Sequence, residues 1–218
     1  ENELTDFGEE LILNETVTPS QHHLSENKAC NIIIQVLSAI CYCHRNNIIH
    51  RNLKPESVLI EWDSTDIENT NNFFPIVKLV GWGKAIQILN NEEITDNIKT
   101  NIKYTAPEII KKEKYNEKCD IWSIGVILYY VLCGYLPFDG ETDEEISNLI
   151  IKGDVDFTGH GWNKISDEAK YLIKKMLTYD FNQRINAAEA LFHPWFNKFK
   201  INIKINHKIA KLALENMK

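Results

Sequence analysis

The chain has 218 residues, 44% of them hydrophobic and 25% charged, with a formal net charge of −7 at pH 7. That length supports one domain with a substantial core, and the composition is ordinary for a soluble globular protein. The negative charge argues against a general nucleic-acid binder, though a local basic patch stays open.

Residues 1–24 read as a connector with a weak helix. Ser25 reads as a helix cap, and Ala29, Ile33, Val36, Leu37, Ile40 and Cys41 repeat at helical spacing, so about 25–46 is predicted to be an amphipathic helix. Ile48 to His50, Ser57 to Glu61 and Ile76 to Val80 read as short strands. Between the last two lies a polar, Asn-rich loop over 63–75. From Lys84 to Thr105 the chain is polar and unperiodic, the pattern of a long loop. Pro107 suits the start of a short helix. Asp120 to Cys133 is apolar nearly all round, as in a helix buried inside a domain, and Gly134 ends it.

Asp143 to Lys152 is a further predicted helix. Ser166 caps the next, with Asp167 and Glu168 at its positive end and one stripe from Ala169 to Leu177. Asn186 and Glu189 have the spacing of a capping box for a helix ending near Pro194. The tail from Lys198 is basic, with one more amphipathic helix predicted over 207–217.

The five cysteines include no CxxC pair, and three lie in apolar helical runs, so they read as small hydrophobes in a reducing, cytoplasmic compartment. Cys41, Cys43 and His44 have the wrong spacing for a zinc knuckle, and no metal site is expected there. No signal peptide is recognised, and the longest apolar stretch, Ile121 to Cys133, is too short to span a bilayer.

Five motifs follow one another in order. They are His50-Arg51-Asn52-Leu53-Lys54-Pro55-Glu56-Ser57, Val80-Gly81-Trp82-Gly83, Ala106-Pro107-Glu108, Asp120-Ile121-Trp122-Ser123-Ile124-Gly125, and Arg184. With these gaps the chain resembles a protein kinase, the segments standing for HRDLKPEN, DFG, APE, DxWSxG and the arginine that pairs with the APE glutamate. Gly134 to Phe138 and His193 to Phe196 resemble the calcium/calmodulin-dependent group, and Lys208 to Leu214 resembles the junction that follows the kinase domain in calcium-dependent protein kinases. The calcium-binding loops of that family are absent from this sequence. The resemblance implies a mostly α (α+β) kinase-like C-terminal lobe, a helical bundle with a few short β-strands. It divides the chain into hinge and connector at 1–24, lobe at 25–197 and basic tail at 198–218.

The chemistry of that family is what this sequence departs from. Phosphoryl transfer needs a catalytic-loop carboxylate to orient the substrate hydroxyl. Asn52 stands there, and an amide is not a base near neutral pH. The metal-holding asparagine is replaced by Ser57, and the metal-chelating aspartate of DFG by Gly81. Loss of a general base alone slows a reaction by roughly 10²–10⁴, and active kinases turn over at roughly 1–100 per second.

Lys54, which contacts the transferring phosphate in active relatives, is kept, either as a leftover or for loop packing. The resemblance places Glu3, Thr5, Glu9 and Leu59 at the hinge, ribose side and floor of a nucleotide pocket. The Gly-rich loop and strand lysine of an N-terminal lobe belong upstream of Glu1. No cofactor is therefore expected in this piece, and ATP with magnesium only in a longer protein carrying that lobe.

Among the framework positions, Asp120 is expected to hold the catalytic-loop backbone, Glu108 and Arg184 to form a buried ion pair, and His50 and Trp122 to pack in the core. Glu92, Glu93 and Asp96 are candidates to pair with Arg51, although such charge runs are more often solvated. Thr100-Asn101 lies where the family has Gly-Thr, and the threonine there contacts the catalytic aspartate and lysine, a contact to be remade or lost. Thr95, Thr100 and Thr105 are candidate phosphosites.

Two functions from different classes follow. One is a non-catalytic lobe acting as a regulator or protein-binding scaffold, with no nucleic-acid partner. The other is ATP-dependent serine/threonine kinase activity in a longer protein, with carboxylates drawn from Glu61, Asp63, Asp66 or Glu68. The basic 207–217 helix fits a calmodulin-like partner, or packing on its own domain.

Overall fold

A computed structural model describes residues 23–61, 76–88, 94–96 and 98–199. The expectations for 1–22, 62–75 and 200–218, which include Glu3, Thr5, Glu9 and the 207–217 helix, lie outside these residues.

Helix α1, Glu26–Arg45, starts where Ser25 accepts the backbone N–H of Lys28 and buries the predicted apolar stripe. Helix α3, Lys118–Cys133, is buried without interruption from Cys119 to Tyr129, which its uniform apolarity requires. It starts two residues before the predicted Asp120. Gly134 ends it at φ 84°, a left-handed position glycine takes without a Cβ penalty. The short helix α2, Pro107–Ile110, opens on proline, and α4 covers Asp143–Lys152. Helix α5, Asp167–Met176, is capped by Ser166. Helix α6, Ala187–Leu191, carries the full capping box of Asn186 and Glu189, and α7 is Pro194–Asn197. The α1 helix packs on α3 and α6, and α3 on α5.

The strands form two antiparallel ribbons. One joins β1, Ile48–Ile49, to β4, Ile86–Gln87; the other joins β2, Val58–Glu61, to β3, Ile76–Leu79. Loop 50–57 runs from β1 to β2 and loop 80–85 from β3 to β4, so the ribbons set the two motif loops side by side. This is mostly helical with a few short strands, as the sequence implied.

Several boundaries moved. His50 and Val80 leave the strands, and Ser57 closes a 3-10 turn over Pro55–Ser57. The stretch from Lys84 to Thr105 is not loop throughout. It contains β4, a backbone bridge from Ile94 to Tyr115 and a 3-10 turn at Ile102–Tyr104. Two-residue strands and single bridges are too short to carry periodicity. The helix predicted to end near Pro194 stops at Leu191, and α7 begins at the proline.

The first turn of α1 is tied to the distal helices by Glu26. It accepts hydrogen bonds from the Ser166 backbone at 2.9 Å and the Trp195 indole at 2.8 Å. Burial opposes its ionisation, but the bonds from Ser166 and Trp195 outweigh this and hold its carboxyl below the ordinary range. No helix among the described residues is long and apolar enough to cross a membrane.

Gly125 marks the tightest approach in the core. A Cβ there would lie 2.8 Å from Met176 Cβ and 3.0 Å from Leu177 Cδ2, across the α3–α5 contact. Alanine is the better helix former by about 1 kcal/mol, but overpacking costs about 1–3 kcal/mol. Gly125→Ala is expected to lower stability in urea by about 1–2 kcal/mol; an unchanged midpoint would show that α3 and α5 separate freely.

Candidate functional site

Everything at the paired loops hangs from Asp120, in the first turn of α3. Its carboxylate is fully buried. One oxygen accepts the Arg51 backbone N–H at 2.8 Å; the other accepts the His50 backbone N–H at 2.9 Å and bonds to His44 Nε2 at 2.9 Å. The turn it braces is strained, because Arg51 sits at φ 66°, a left-handed value that a non-glycine residue adopts only when its surroundings impose it.

His50, fully buried, spans the two loops. Its Nε2 donates to Val80 O at 2.9 Å, and its Nδ1 accepts the Asn52 backbone N–H at 3.3 Å. Its ring lies 4.4 Å from that of Trp82, whose indole donates to Leu79 O at 3.0 Å. Trp82 is only half-buried, and it packs against the catalytic-loop histidine.

The three departing positions meet here. Asn52 is half-buried, and its backbone carbonyl accepts the Ser57 hydroxyl at 3.1 Å. Ser57 is buried, and its own carbonyl accepts the Val80 backbone N–H at 3.0 Å. Gly81 follows at φ 82°, and a Cβ on it would lie 3.5 Å from Ser57 Oγ. Among the described residues Lys54 pairs with Glu56, at 3.9 Å and partly in solvent, a pair worth little. Leu59 is half-buried in β2, opposite Lys78.

The Arg51 side chain crosses to the following segment. Its Nε donates to Lys84 O at 2.7 Å, and Nη1 donates to Asp96 at 2.6 Å and to the Tyr115 hydroxyl at 3.0 Å. Tyr115 in turn donates to Asp96, closing a triangle. Of the candidate acids, Asp96 therefore pairs with Arg51, while Glu92 and Glu93 lie outside the described residues. Thr100 pairs with the Thr105 hydroxyl at 2.6 Å, and Thr105 donates to Asn101 O at 2.7 Å. Asn101, in the place of the family's threonine, caps the Ile102–Tyr104 turn by accepting the Lys103 backbone N–H at 3.2 Å.

Behind these loops Glu108 of α2 and Arg184 form a two-pronged ion pair at 2.7 and 2.9 Å, both groups buried. The guanidinium also donates to the carbonyls of Lys118, Thr178 and Tyr179 and lies over Trp122. Every prong has an acceptor, the condition under which a buried pair is tolerated.

The protein kinase domain family matches residues 2–196. The chain belongs to the protein kinase family. It is 40% identical over 195 residues to calcium-dependent protein kinase 5 of Plasmodium falciparum (isolate 3D7), a match covering 89% of this chain and 33% of that protein. It is 42% identical over 196 residues to calcium-dependent protein kinase 3 of Plasmodium yoelii yoelii, covering 88% and 34%. Against calcium-dependent protein kinase 4 of Plasmodium berghei (strain Anka) it is 39% identical over 201 residues, covering 91% and 36%. The chain thus spans about a third of the length of these relatives.

Magnesium is the cation this kinase family places between loops of this kind, and the donors present do not fit it. A hard cation needs several oxygens in near-octahedral array. Gly81 supplies no side chain, and Ser57 supplies a single hydroxyl and no carboxylate. Among the described residues no group of three His, Cys, Asp or Glu side chains converges. Of the Cys41, Cys43, His44 cluster, His44 faces Asp120, and burial pushes both thiols up. Beside Asn52, a crevice lined by Thr100, Thr105 and Ser123 encloses about 10 Å³, room for one water.

Two residues of this kinase lobe were not singled out for these roles. His44 was read only with the neighbouring cysteines, and Tyr115 not at all. His44 closes α1 six positions before His50, a local spacing that could have raised it. Tyr115 becomes legible only through its long-range bridge to Ile94.

Two outcomes follow from these charges. Arg184→Ala leaves Glu108 buried and unpaired and is expected to lower stability by about 3–5 kcal/mol, read by urea denaturation. At Asp96, burial opposes ionisation, but the bonds from Tyr115 and Arg51 prevail and hold the carboxyl below the ordinary range. Its contribution is therefore present above the unfolded-state value of about 3.9 and is lost as pH falls through the lower folded value. The melting-temperature gap between wild type and Asp96→Asn should be open at neutral pH and close on acidification; a constant gap would contradict this.

Proposed function

We propose that this lobe is a non-catalytic member of the kinase family, related to calcium-dependent serine/threonine kinases and acting as a regulator or a protein-binding scaffold. The observation that carries the reading is Gly81 facing Ser57 Oγ across the paired loops. The two positions expected to hold magnesium lie together and offer one hydroxyl and no carboxylate. With an amide at position 52 the proton acceptor is missing as well. Without metal ions to neutralise charge on the transferring phosphate, positioning alone does little for phosphoryl transfer.

The framework supports a binding role. Asp120, the Glu108–Arg184 pair and the Arg51–Asp96–Tyr115 triangle keep loop 50–57 and the following segment in one arrangement. The triangle uses a carboxylate already in the chain, so it calls for no phosphate on Thr95, Thr100 or Thr105. A protein partner that reads this surface would find it preformed.

The test is a phosphate-transfer assay on the full-length protein encoded with this lobe, using magnesium ATP and a basic serine/threonine peptide. No incorporation above that of a Lys54→Ala variant is expected. Transfer that Lys54→Ala abolishes would overturn the reading and establish ATP-dependent serine/threonine kinase activity by other carboxylates. The same protein should show no magnesium-dependent thermal shift with ATP.

A further inference from the structure

Helix α5 leaves one stripe in solvent. Asp167, Tyr171 and Lys174 follow one another at helical spacing and are exposed, Tyr171 by 54%. With His193 and Pro194 they line a crevice of about 520 Å³ between α5 and the start of α7, a volume typical of binding clefts. A buried group on its wall lacks a partner. His193 is only 7% exposed, and its Nδ1 accepts the Trp195 backbone N–H at 3.3 Å. Burial and the nearby Lys175 lower its pKa, so the ring is neutral at pH 7. A neutral imidazole whose Nδ1 accepts carries its proton on Nε2. Among the described residues that N–H meets no acceptor, and buried donors are seldom left so.

The chain leaves the described lobe at the rim of this crevice. Lys198 lies 3.5 Å from Glu168, which also lines it, and Phe199 packs edge-on against Trp195. Residues 200–218 carry five lysines and one acid, Glu215. In the helix predicted over 207–217, Lys208, Leu212 and Glu215 are spaced i, i+4, i+7, as are Asp167, Tyr171 and Lys174 on α5. Laid parallel, the two stripes set Lys208 against Asp167, Leu212 against Tyr171 and Glu215 against Lys174. Opposite charges meet at both ends and an aliphatic side chain meets an aromatic ring between them. Asp167 now pairs with Lys170 at 3.6 Å and is fully exposed, a weak contact that a second cation can share. A flexible link over 199–207 spans roughly 15–18 Å on average, enough to return to the rim it started from.

We infer that residues 207–217 of this chain dock as a helix in the α5–α7 crevice, parallel to α5 and with Leu212 on Tyr171. Glu215, one turn further on, is the carboxylate available to Lys174 and to the His193 N–H. Tethering keeps the segment at high effective concentration beside the crevice, so modest contacts suffice. The basic helix then packs on its own lobe in place of a calmodulin-like partner. None of this depends on whether the lobe transfers phosphate.

The experiment is amide hydrogen exchange on the full chain. Residues 209–215 are expected to exchange about tenfold more slowly in wild type than in Leu212→Asp, and the NMR signals of the Tyr171 and His193 rings should shift in that variant. Position 212 lies outside the lobe, so α3 should stay equally protected in both proteins. Glu215→Lys should cut the protection of 209–215 roughly threefold, and adding Lys174→Glu should restore it. Exchange of 209–215 at the rate of an unstructured peptide would overturn the inference, and so would a charge swap that restores nothing. Protection that grows with protein concentration would give the crevice to a second copy, and protection that appears only with calcium-loaded calmodulin would give the segment to that partner. Either result overturns docking within one chain. Phosphate transfer bears on the non-catalytic reading alone and leaves this inference untouched.

Discussion

The carboxylate of Asp120 is the constraint from which the paired loops follow. An ionised carboxylate without solvent is costly unless each lone pair is answered. Here three donors answer it: two consecutive backbone N–H groups and His44. The first turn of α3 adds the positive end of a buried helix. Satisfying the anion and bending the chain at Arg51 are therefore one event. Remove the carboxylate, and the left-handed Arg51 loses the bonds that hold it there.

From that bend the remaining contacts follow in order. The turn aims the Arg51 side chain at Lys84 O, Asp96 and Tyr115. It also leaves the His50 ring free to bridge to Val80 and to pack on Trp82. The second buried charge, Arg184, fixes α2 to the start of α3 through Glu108 and Lys118 O. Both ionic centres thus position backbone. Each charge finds its hydrogen-bond partners within the lobe, and neither is left over for a nucleotide. The groups with spare bonding capacity near the crevice are neutral, an amide at 52 and hydroxyls at 100 and 105.

Helices were legible in the sequence because their signals are local. The stripe of α1, the all-round apolarity of α3 and the box at Asn186 and Glu189 each sit within a few residues. The motif residues could be placed because a known family pattern supplied their spacing. The strand ends at His50, Ser57 and Val80 were misjudged by one residue. His50 N–H bonds to Asp120 across 70 positions and Val80 N–H to Ser57 O, while Ser57 is drawn into a turn by its own bond to Lys54 O. The choice among Glu92, Glu93 and Asp96 was likewise open. It depends on where Tyr115 lies, and a bridge to Ile94 decides that. Composition alone favoured a solvated charge run, and one member of the run is instead held by two partners.

The same division explains how the lobe keeps its shape while losing its ligands. Contacts that hold the fold run through backbone amides, through carbonyls and through side chains such as Asp120, Arg184 and His50. Two of the replaced positions lend the framework no side chain: Asn52 contributes its backbone N–H and carbonyl, and Gly81 contributes a conformation. At φ 82° glycine is the least strained choice, and the gap in front of it is open to a Cβ at ordinary contact distance. Substitution at 81 therefore meets no steric barrier from the neighbouring loop, only the backbone preference of the incoming residue. Chemistry and fold use different atoms of the same loop, so selection can relax on one set and hold the other.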